Sequence, residues 1–324
     1  MAGMLCVDPV GGLTNRLMAM LSVQRIARYY ERPFGVVWRP SSECNARLET
    51  LIASDFRQMG EGDFQDNIDA LTIGFGGQGW NVTPVVPRPS DPGRDILICT
   101  HGVLAHEAEE RSLLFAPSGQ LLFDLARYYR ALRPAPHLLA AANAMEFERH
   151  RTISVHVRRP YSQNVSLAEG LHDAEQRQYG RLPDQFYVDL INQLGTLRPG
   201  LQFLLCTNSP TTEEYLRSHC VPKLISRAKV APDDTSLPSS AEEALIDTLL
   251  LSRTAGVIRH HQSNFALLSS LTLLQPNLLV IPSPDGTTAD LQLSEYRENG
   301  TVEQISDASI LDRFVSPDHN ILLA

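Results

Sequence analysis

Hydrophobic residues in this chain repeatedly alternate, break at a turn, and then recur at helical spacing. The clearest case lies at 152–159, where Ile153, Val155 and Val157 alternate with Ser154 and His156 before the run ends on Arg158, Arg159 and Pro160. β-Branched residues at period two predict a strand, and proline cannot continue a ladder. The chain opens the same way. Residues 4–7 form an apolar run, Pro9-Val10-Gly11-Gly12 interrupts it, and Leu13, Leu17, Met20, Leu21 and Ile26 follow at helical spacing. A second strand is predicted at 34–38, stopped by Pro40. Strand, glycine loop, helix and strand in this order predict a parallel sheet with a right-handed crossover.

The rest of the first half predicts a short helix at 48–52, an irregular stretch at 56–79 with one or two short strands, and a proline-rich connection at 84–92. A strand at 96–99 and helices at 121–132 and 137–147 follow, separated by Arg133-Pro134-Ala135-Pro136 as a stop and hinge. The second half restarts at 152. After a polar loop at 160–182, Asp184 is expected to cap a helix over 185–197, and strands are predicted at 202–206, 223–226, 256–258 and, last, 278–281. Helices at 211–219, 241–252 and 265–274 connect them. The chain therefore reads as two α/β halves, 1–148 and 149–324, with no sequence repeat between them and the last ~40 residues expected to pack back on the first half.

In open α/β sheets, ligands sit beyond the carboxyl ends of the strands. The loops after the strands at 153, 202 and 256 share that address, which gathers Arg158, Arg159, Asn208, His260, His261, Ser263 and Asn264. Gly11-Gly12 faces them from the other half. Paired arginines match phosphate oxygens bidentately and stay charged, glycines let a backbone approach closely, and helix N-termini near Asn15 and Phe265 offer N–H groups to an anion. This combination describes a nucleotide-diphosphate site between two halves. The glycine pair is neither G-x-G-x-x-G nor a P-loop.

Composition narrows the picture. With 324 residues, 43% hydrophobic and 20% charged, the chain suits one large or two medium globular domains. A net charge of −9 argues against general nucleic-acid binding. The five cysteines are widely spaced with no C-x-x-C, which predicts neither a zinc site nor a disulfide framework and fits a reducing compartment. No signal sequence and no membrane-spanning stretch is read, since 245–251 is too short and contains Asp247, so a cytoplasmic location is expected. Two glycosylation sequons, at Asn81 and Asn164, lack the secretory context that would use them. The acidic pairs Glu109-Glu110, Asp233-Asp234 and Glu242-Glu243 read as solvated faces, and no carboxylate cluster resembles a metal site. His260 and His261, vicinal and without a third partner, read as loop donors.

Three segments together resemble the fucosyltransferase superfamily that includes the nodulation, core α1,6- and protein O-fucosyltransferases. Gly11-Gly12-Leu13-Thr14-Asn15-Arg16-Leu17 is similar to that family's glycine loop. Val155-His156-Val157-Arg158-Arg159 is similar to its H-V-R-R segment. The segment 245–252, with Gln262-Ser263-Asn264-Phe265 downstream, is similar to its Asp-bearing helix and serine loop. The resemblance implies a GT-B fold, two facing Rossmann-like domains with a cleft between them, the first on the acceptor side and the second binding the nucleotide sugar. It implies inverting transfer from GDP-fucose or a similar nucleotide sugar to a glycan, small-molecule or polypeptide acceptor, with no metal and no cofactor. Arg158 would then hold the β-phosphate and Arg159 would join it at the leaving group. His156 and Asp247 would read guanine. Gly11, Gly12, Asn15, Arg16, Asn208, Ser263, Asn264 and Phe265 would line the site.

The residues leave other roles open. His156 alternates with core valines as a sheet histidine would, Ser263 can be an N-cap, and Asp247 on an apolar helix needs some partner. The sequence also departs from the family. The core fucosyltransferases follow H-V-R-R with Thr-Asp and a lysine and glutamate linked to acceptor activation, whereas Pro160, Tyr161, Ser162 and Ser166 stand here. The general base is therefore open among Glu169, His172, Asp173 and Asp8. Two other functions remain: a GT-B transferase using a different nucleotide sugar, and a sugar-nucleotide or glycan-binding protein without catalysis.

Overall fold

The computed structural model describes residues 2–60, 63, 68–73, 85–88, 90–91, 93–108, 119–159, 182–230, 237–261, 263–271, 274–283, 286–296 and 302–316. The first half carries β1 (Leu5–Pro9), β2 (Phe34–Val36), β3 (Ile68–Ile73) and β5 (Asp95–Thr100), all parallel, in the order β2-β1-β5-β3. A separate two-residue pair joins β4 (Val85–Val86) to β6 (Ala105–His106). The helices of this half are α1 (Leu13–Tyr29), α2 (Leu48–Leu51), α3 (Gly119–Ala131) and α4 (Pro136–Asn143). Strand β2 is shorter than expected because Trp38 leaves the ladder, its indole N–H donating to the Ala46 carbonyl at 2.8 Å.

The second sheet has seven strands in the order β13-β12-β11-β10-β7-β8-β9. Strands β7 (Thr152–Val157), β8 (Gln202–Thr207), β9 (Lys223–Ile225), β10 (Gly256–His260) and β11 (Asn277–Pro282) are parallel. Strand β7 lies between β8 and β10, and each of its six residues is buried, as expected where helices cover both faces of a parallel sheet. Helices α5 (Asp184–Leu197), α6 (Pro210–His219), α7 (Pro238–Leu251) and α8 (Asn264–Leu271) connect these strands.

The chain does not end its sheet at 278–281. Strands β12 (Ala289–Tyr296) and β13 (Val302–Ile305) add two antiparallel strands, and α9 (Ile310–Phe314) packs on β12 and α5. The described residues of this tail extend the second sheet. Leu291 and Leu293 at period two carry that signal.

Side-chain alternation splits the second sheet between two cores. Ile153, Val155, Val157, Phe203 and Leu205 face α5 and α9. Leu204 and Cys206, on the other face, join Leu245, Ile246, Leu250, Leu251, Leu267 and Leu268 from α7 and α8 in a core shared with α1, α3 and the first sheet. This explains why α1 and α7 are buried on nearly every side. Both are clamped between layers, and the two halves share one hydrophobic centre.

Candidate functional site

The glycine loop begins where β1 ends. Gly11 has φ +85, a left-handed conformation that favours glycine, and Gly12 is the N-cap of α1 without a side-chain cap. The first turn of α1 carries no acidic residue, so no carboxylate there offsets the positive end of its dipole. Arg16 holds the loop shut on itself. Its Nε donates to the Gly11 carbonyl at 2.6 Å, Nη1 to Arg39 O at 2.5 Å and Nη2 to Ser41 Oγ at 2.7 Å, while its guanidinium lies 5.3 Å from the centre of Trp38. These contacts let Arg16 shape the glycine loop from its own helix.

His156 points to the face covered by α7 and α8. Its Nδ1 is 3.0 Å from Ser263 Oγ, and its ring stacks on Phe265 at 4.8 Å and 12°. Ser263 Oγ also accepts from Ala266 N at 3.3 Å, so this serine caps α8 and touches His156 at once. A hydroxyl that accepts from Ala266 can donate to Nδ1, which leaves the ring proton on Nε2. Burial, reinforced by the charges of Arg158, Lys229, His260 and Arg259, pushes the His156 pKa down to about 3. The ring is neutral under ordinary conditions.

The first turns of α1 and α8 meet. Asn264 Nδ2, on the first residue of α8, donates to Asn15 Oδ1, on the third residue of α1, at 3.1 Å. The Asn15 carbonyl in turn accepts from Gly102 N at 3.0 Å, just past β5. Two helix N-termini, one from each half, thus converge beside Gly11, Ser263 and His156.

Arg158 and Arg159 differ in their surroundings. The charge of Arg158 reaches the His156 imidazole. Arg159 is pinned on the far side: Nη2 is ion-paired with Asp184, Nε donates to Thr212 Oγ1 at 3.3 Å, and the guanidinium lies 5.8 Å from the centre of Tyr187. Asn208 spends both ends of its amide on Arg159, accepting from its N–H and donating to its carbonyl, each at 2.8 Å. Arg159 and Asn208 thus tie the end of β7 to the start of α6. Asp184 accordingly serves Arg159 and Thr212 instead of capping α5, whose N-cap is Pro183.

Asp247 has its partner within the chain. Its Oδ2 is 2.5 Å from Lys229 Nζ and its Oδ1 3.5 Å from Arg227 Nη2. Lys229 Nζ also donates to the Thr207 carbonyl at 2.7 Å. Burial pulls this ammonium down most strongly, but Asp247 and Cys206 together turn the net shift upward. Glu243, read as a solvated surface residue, is buried, accepting from Val230 N at 2.8 Å and lying 3.9 Å from Arg227. Arg227 and Lys229 escaped the sequence reading. Their one signal was a pair of cations directly after a strand, the same feature that singled out Arg158 and Arg159.

Arg259 was also missed. Its fully buried guanidinium donates to Asn277 Oδ1 at 2.8 Å and to the His261 carbonyl at 3.0 Å, holding the turn that delivers Ser263. His260 is buried and lies 4.6 Å from His261, ring centre to ring centre. Among the described residues, no group of three or more His, Cys, Asp or Glu side chains could hold a metal ion. Asp8 lies at the carboxyl end of β1, 3.7 Å from Arg39. Glu169, His172, Asp173, both sequons, Gln262, Glu109-Glu110 and Asp233-Asp234 lie outside the described residues, as do the glycines at 74–79 and the 160–181 loop.

No family model matches the chain, and no curated protein matches it by sequence. Solved structures do match. The crystal structure of NodZ α-1,6-fucosyltransferase soaked with GDP-fucose aligns over 92% of this chain and 100% of its own, at 15% identity and a TM-score of 0.59. A NodZ structure from Bradyrhizobium aligns over 92% and 100%, at 15% identity and a TM-score of 0.58. Arabidopsis thaliana FUT1 in complex with GDP aligns over 90% of this chain and 74% of its own, at 11% identity and a TM-score of 0.58. The chain has the fold of these enzymes, the GT-B class of α/β architecture.

Proposed function

We propose that the protein is a glycosyltransferase that moves fucose, or a related sugar, from a GDP-sugar to a hydroxyl acceptor, with inversion and without a metal. The observation that carries this reading is the convergence of two helix N-termini at the Asn15–Asn264 contact, beside Arg158 and the His156–Phe265 stack. The fold it sits in is shared with fucosyltransferases solved with GDP-fucose and GDP. A diphosphate placed there in the cleft between the halves receives backbone donors from both and an arginine from β7.

The chemistry follows from that placement. The bond between sugar C1 and the β-phosphate oxygen breaks, and its electron pair goes to the phosphate. The acceptor oxygen bonds C1 from the opposite face and its proton passes to a base. Negative charge grows on the diphosphate in the transition state, where Arg158 and the helix N-termini stabilise it without reorganising. Asp8, at the rim of the glycine loop, is the candidate base among the described residues. The acceptor is a glycan, small molecule or polypeptide.

No described helix is long and apolar enough to cross a membrane, and the five cysteines are unpaired, which supports a cytoplasmic site of action as part of the same reading. Calorimetric titration with GDP, UDP and ADP, followed by GDP-fucose turnover with and without a chelator, tests the proposal. Tight UDP binding with silent GDP would replace the donor. GDP binding without transfer to any acceptor would leave a binding protein, and loss of turnover in chelator would overturn metal independence.

A further inference from the structure

Lys229 stands in the wrong place for a surface lysine and in a telling place for a nucleotide base. It follows β9, yet its ammonium reaches back over the carboxyl end of β8 to the Thr207 carbonyl at 2.7 Å and to Asp247 Oδ2 at 2.5 Å. Its side chain is 11% exposed and that of Asp247 is 7% exposed. Its charge is felt by His156, one strand away. An ammonium has three N–H groups, and these contacts use two among the described residues. Asp247 takes one cation on each oxygen and retains further lone pairs on both.

A buried ion pair of this kind is weak evidence for stability, because desolvating two charges costs about as much as their attraction returns. The cluster is larger than stability needs. Arg227 already lies between Glu243 and Asp247. What Lys229 adds is a donor next to an acceptor, both at the carboxyl ends of the strands. Guanine presents the complement along one edge: the O6 acceptor adjoins the N1–H and N2–H₂ donors. Adenine presents a donor at N6 and an acceptor at N1, which would set amine against ammonium and ring nitrogen against carboxylate.

We propose that Lys229 is a specificity-determining residue of the base pocket, its third N–H donating to guanine O6 while the adjacent Asp247 carboxylate accepts from N1–H and N2–H₂. This rests on the GDP-sugar reading above and names the residue pair that would select guanine within it.

Four diphosphates separate the contacts: GDP, IDP (which lacks N2–H₂), 2-aminopurine riboside diphosphate (which lacks O6 and the N1–H) and ADP. Binding is measured by calorimetry on the full chain. Lys229→Met should weaken GDP and IDP by the same factor, about tenfold or more, and should move the weaker 2-aminopurine and adenine ligands by no more than about twofold. Lys229→Arg, which keeps charge and donors, should retain the preference of GDP over 2-aminopurine riboside diphosphate. If Lys229→Met weakens all four ligands alike, the lysine only supports Asp247 and the inference falls. Should Lys229→Met not fold, wild-type protein decides. Equal affinity for GDP and 6-thioguanosine diphosphate, which keeps N1–H and N2–H₂ but replaces O6 with a poorly accepting sulfur, overturns the O6 contact, and a clear preference for GDP supports it. Wild-type protein that binds UDP or ADP but not GDP sinks the guanine reading itself, a result distinguishable from the loss of Lys229 selectivity alone.

Discussion

Asn264 on the first turn of α8 donates its amide N–H to the Asn15 side-chain oxygen on the first turn of α1, across 249 residues of sequence and at 3.1 Å. A neutral hydrogen bond contributes about 1 kcal/mol, so its loss in Asn264→Ala should change stability little. Its position matters more than its strength, because both partners sit where helix N–H groups point out of the fold. We predict that Asn15→Asp lowers GDP affinity about tenfold or more by placing an anion between two positive helix ends, with a smaller effect at high salt. Calorimetry at two salt concentrations checks this. Unchanged affinity would put the diphosphate elsewhere.

The arginine pair should separate cleanly. Arg158→Ala is predicted to lower turnover by about 10²-fold or more with little loss of stability, since the charge it would stabilise develops only in the transition state. Arg159→Ala leaves Asp184 without its guanidinium and removes contacts to Thr212 and Tyr187. It should destabilise the fold by about 1–3 kcal/mol. Turnover per folded molecule should fall less than for Arg158→Ala. Urea midpoints and initial rates on both variants decide, and equal kinetic losses would place Arg159 at the leaving group.

Local pattern made the strands and helices legible where one face or both are apolar: β7, α1 and α7 announce themselves by period. It could not say what α1 and α7 are buried against, because a helix apolar on most sides looks the same whether one layer or two cover it. Nor could it assign partners. Arg158 and Arg159 are adjacent in sequence with identical side chains, and only the positions of Asp184, Thr212 and Asn208 show what holds the second one. Glu242 and Glu243 look like one solvated pair until the helix turns Glu243 inward to Val230 and Arg227. Asp247 was correctly seen to need a partner, and the ones it has follow β9, 18 and 20 residues upstream.

His156 should make stability depend on pH in a definite direction. Its pKa is held near 3 in the folded chain against an ordinary value of 6.5, chiefly by burial. Between those values the unfolded chain binds the proton and the folded chain does not, so protons favour unfolding. Stability from this residue is full above about pH 6.5 and is lost progressively as pH falls towards 3. We predict that His156→Gln flattens the fall in urea midpoint between pH 6.5 and 4. A slope identical to wild type would mean that the imidazole takes up its proton in the fold.

The shared core predicts how the chain unfolds. Leu250 is fully buried on α7, in the cluster that also holds Leu17 and Met18 of α1 and Leu267 of α8. Truncating such a leucine removes its transfer energy and leaves a cavity, which together cost about 2–5 kcal/mol. If α7 served only its own sheet, Leu250→Ala would loosen the second half and spare the first. Because the core that holds α7 is drawn from both halves, the variant should lower the opening free energy of both together. Native-state hydrogen exchange, read separately on peptides from β1 and β10, measures this. Matched losses of protection in the two strands are expected. A loss confined to β10 would show that the two halves unfold independently despite the hydrophobic centre they share.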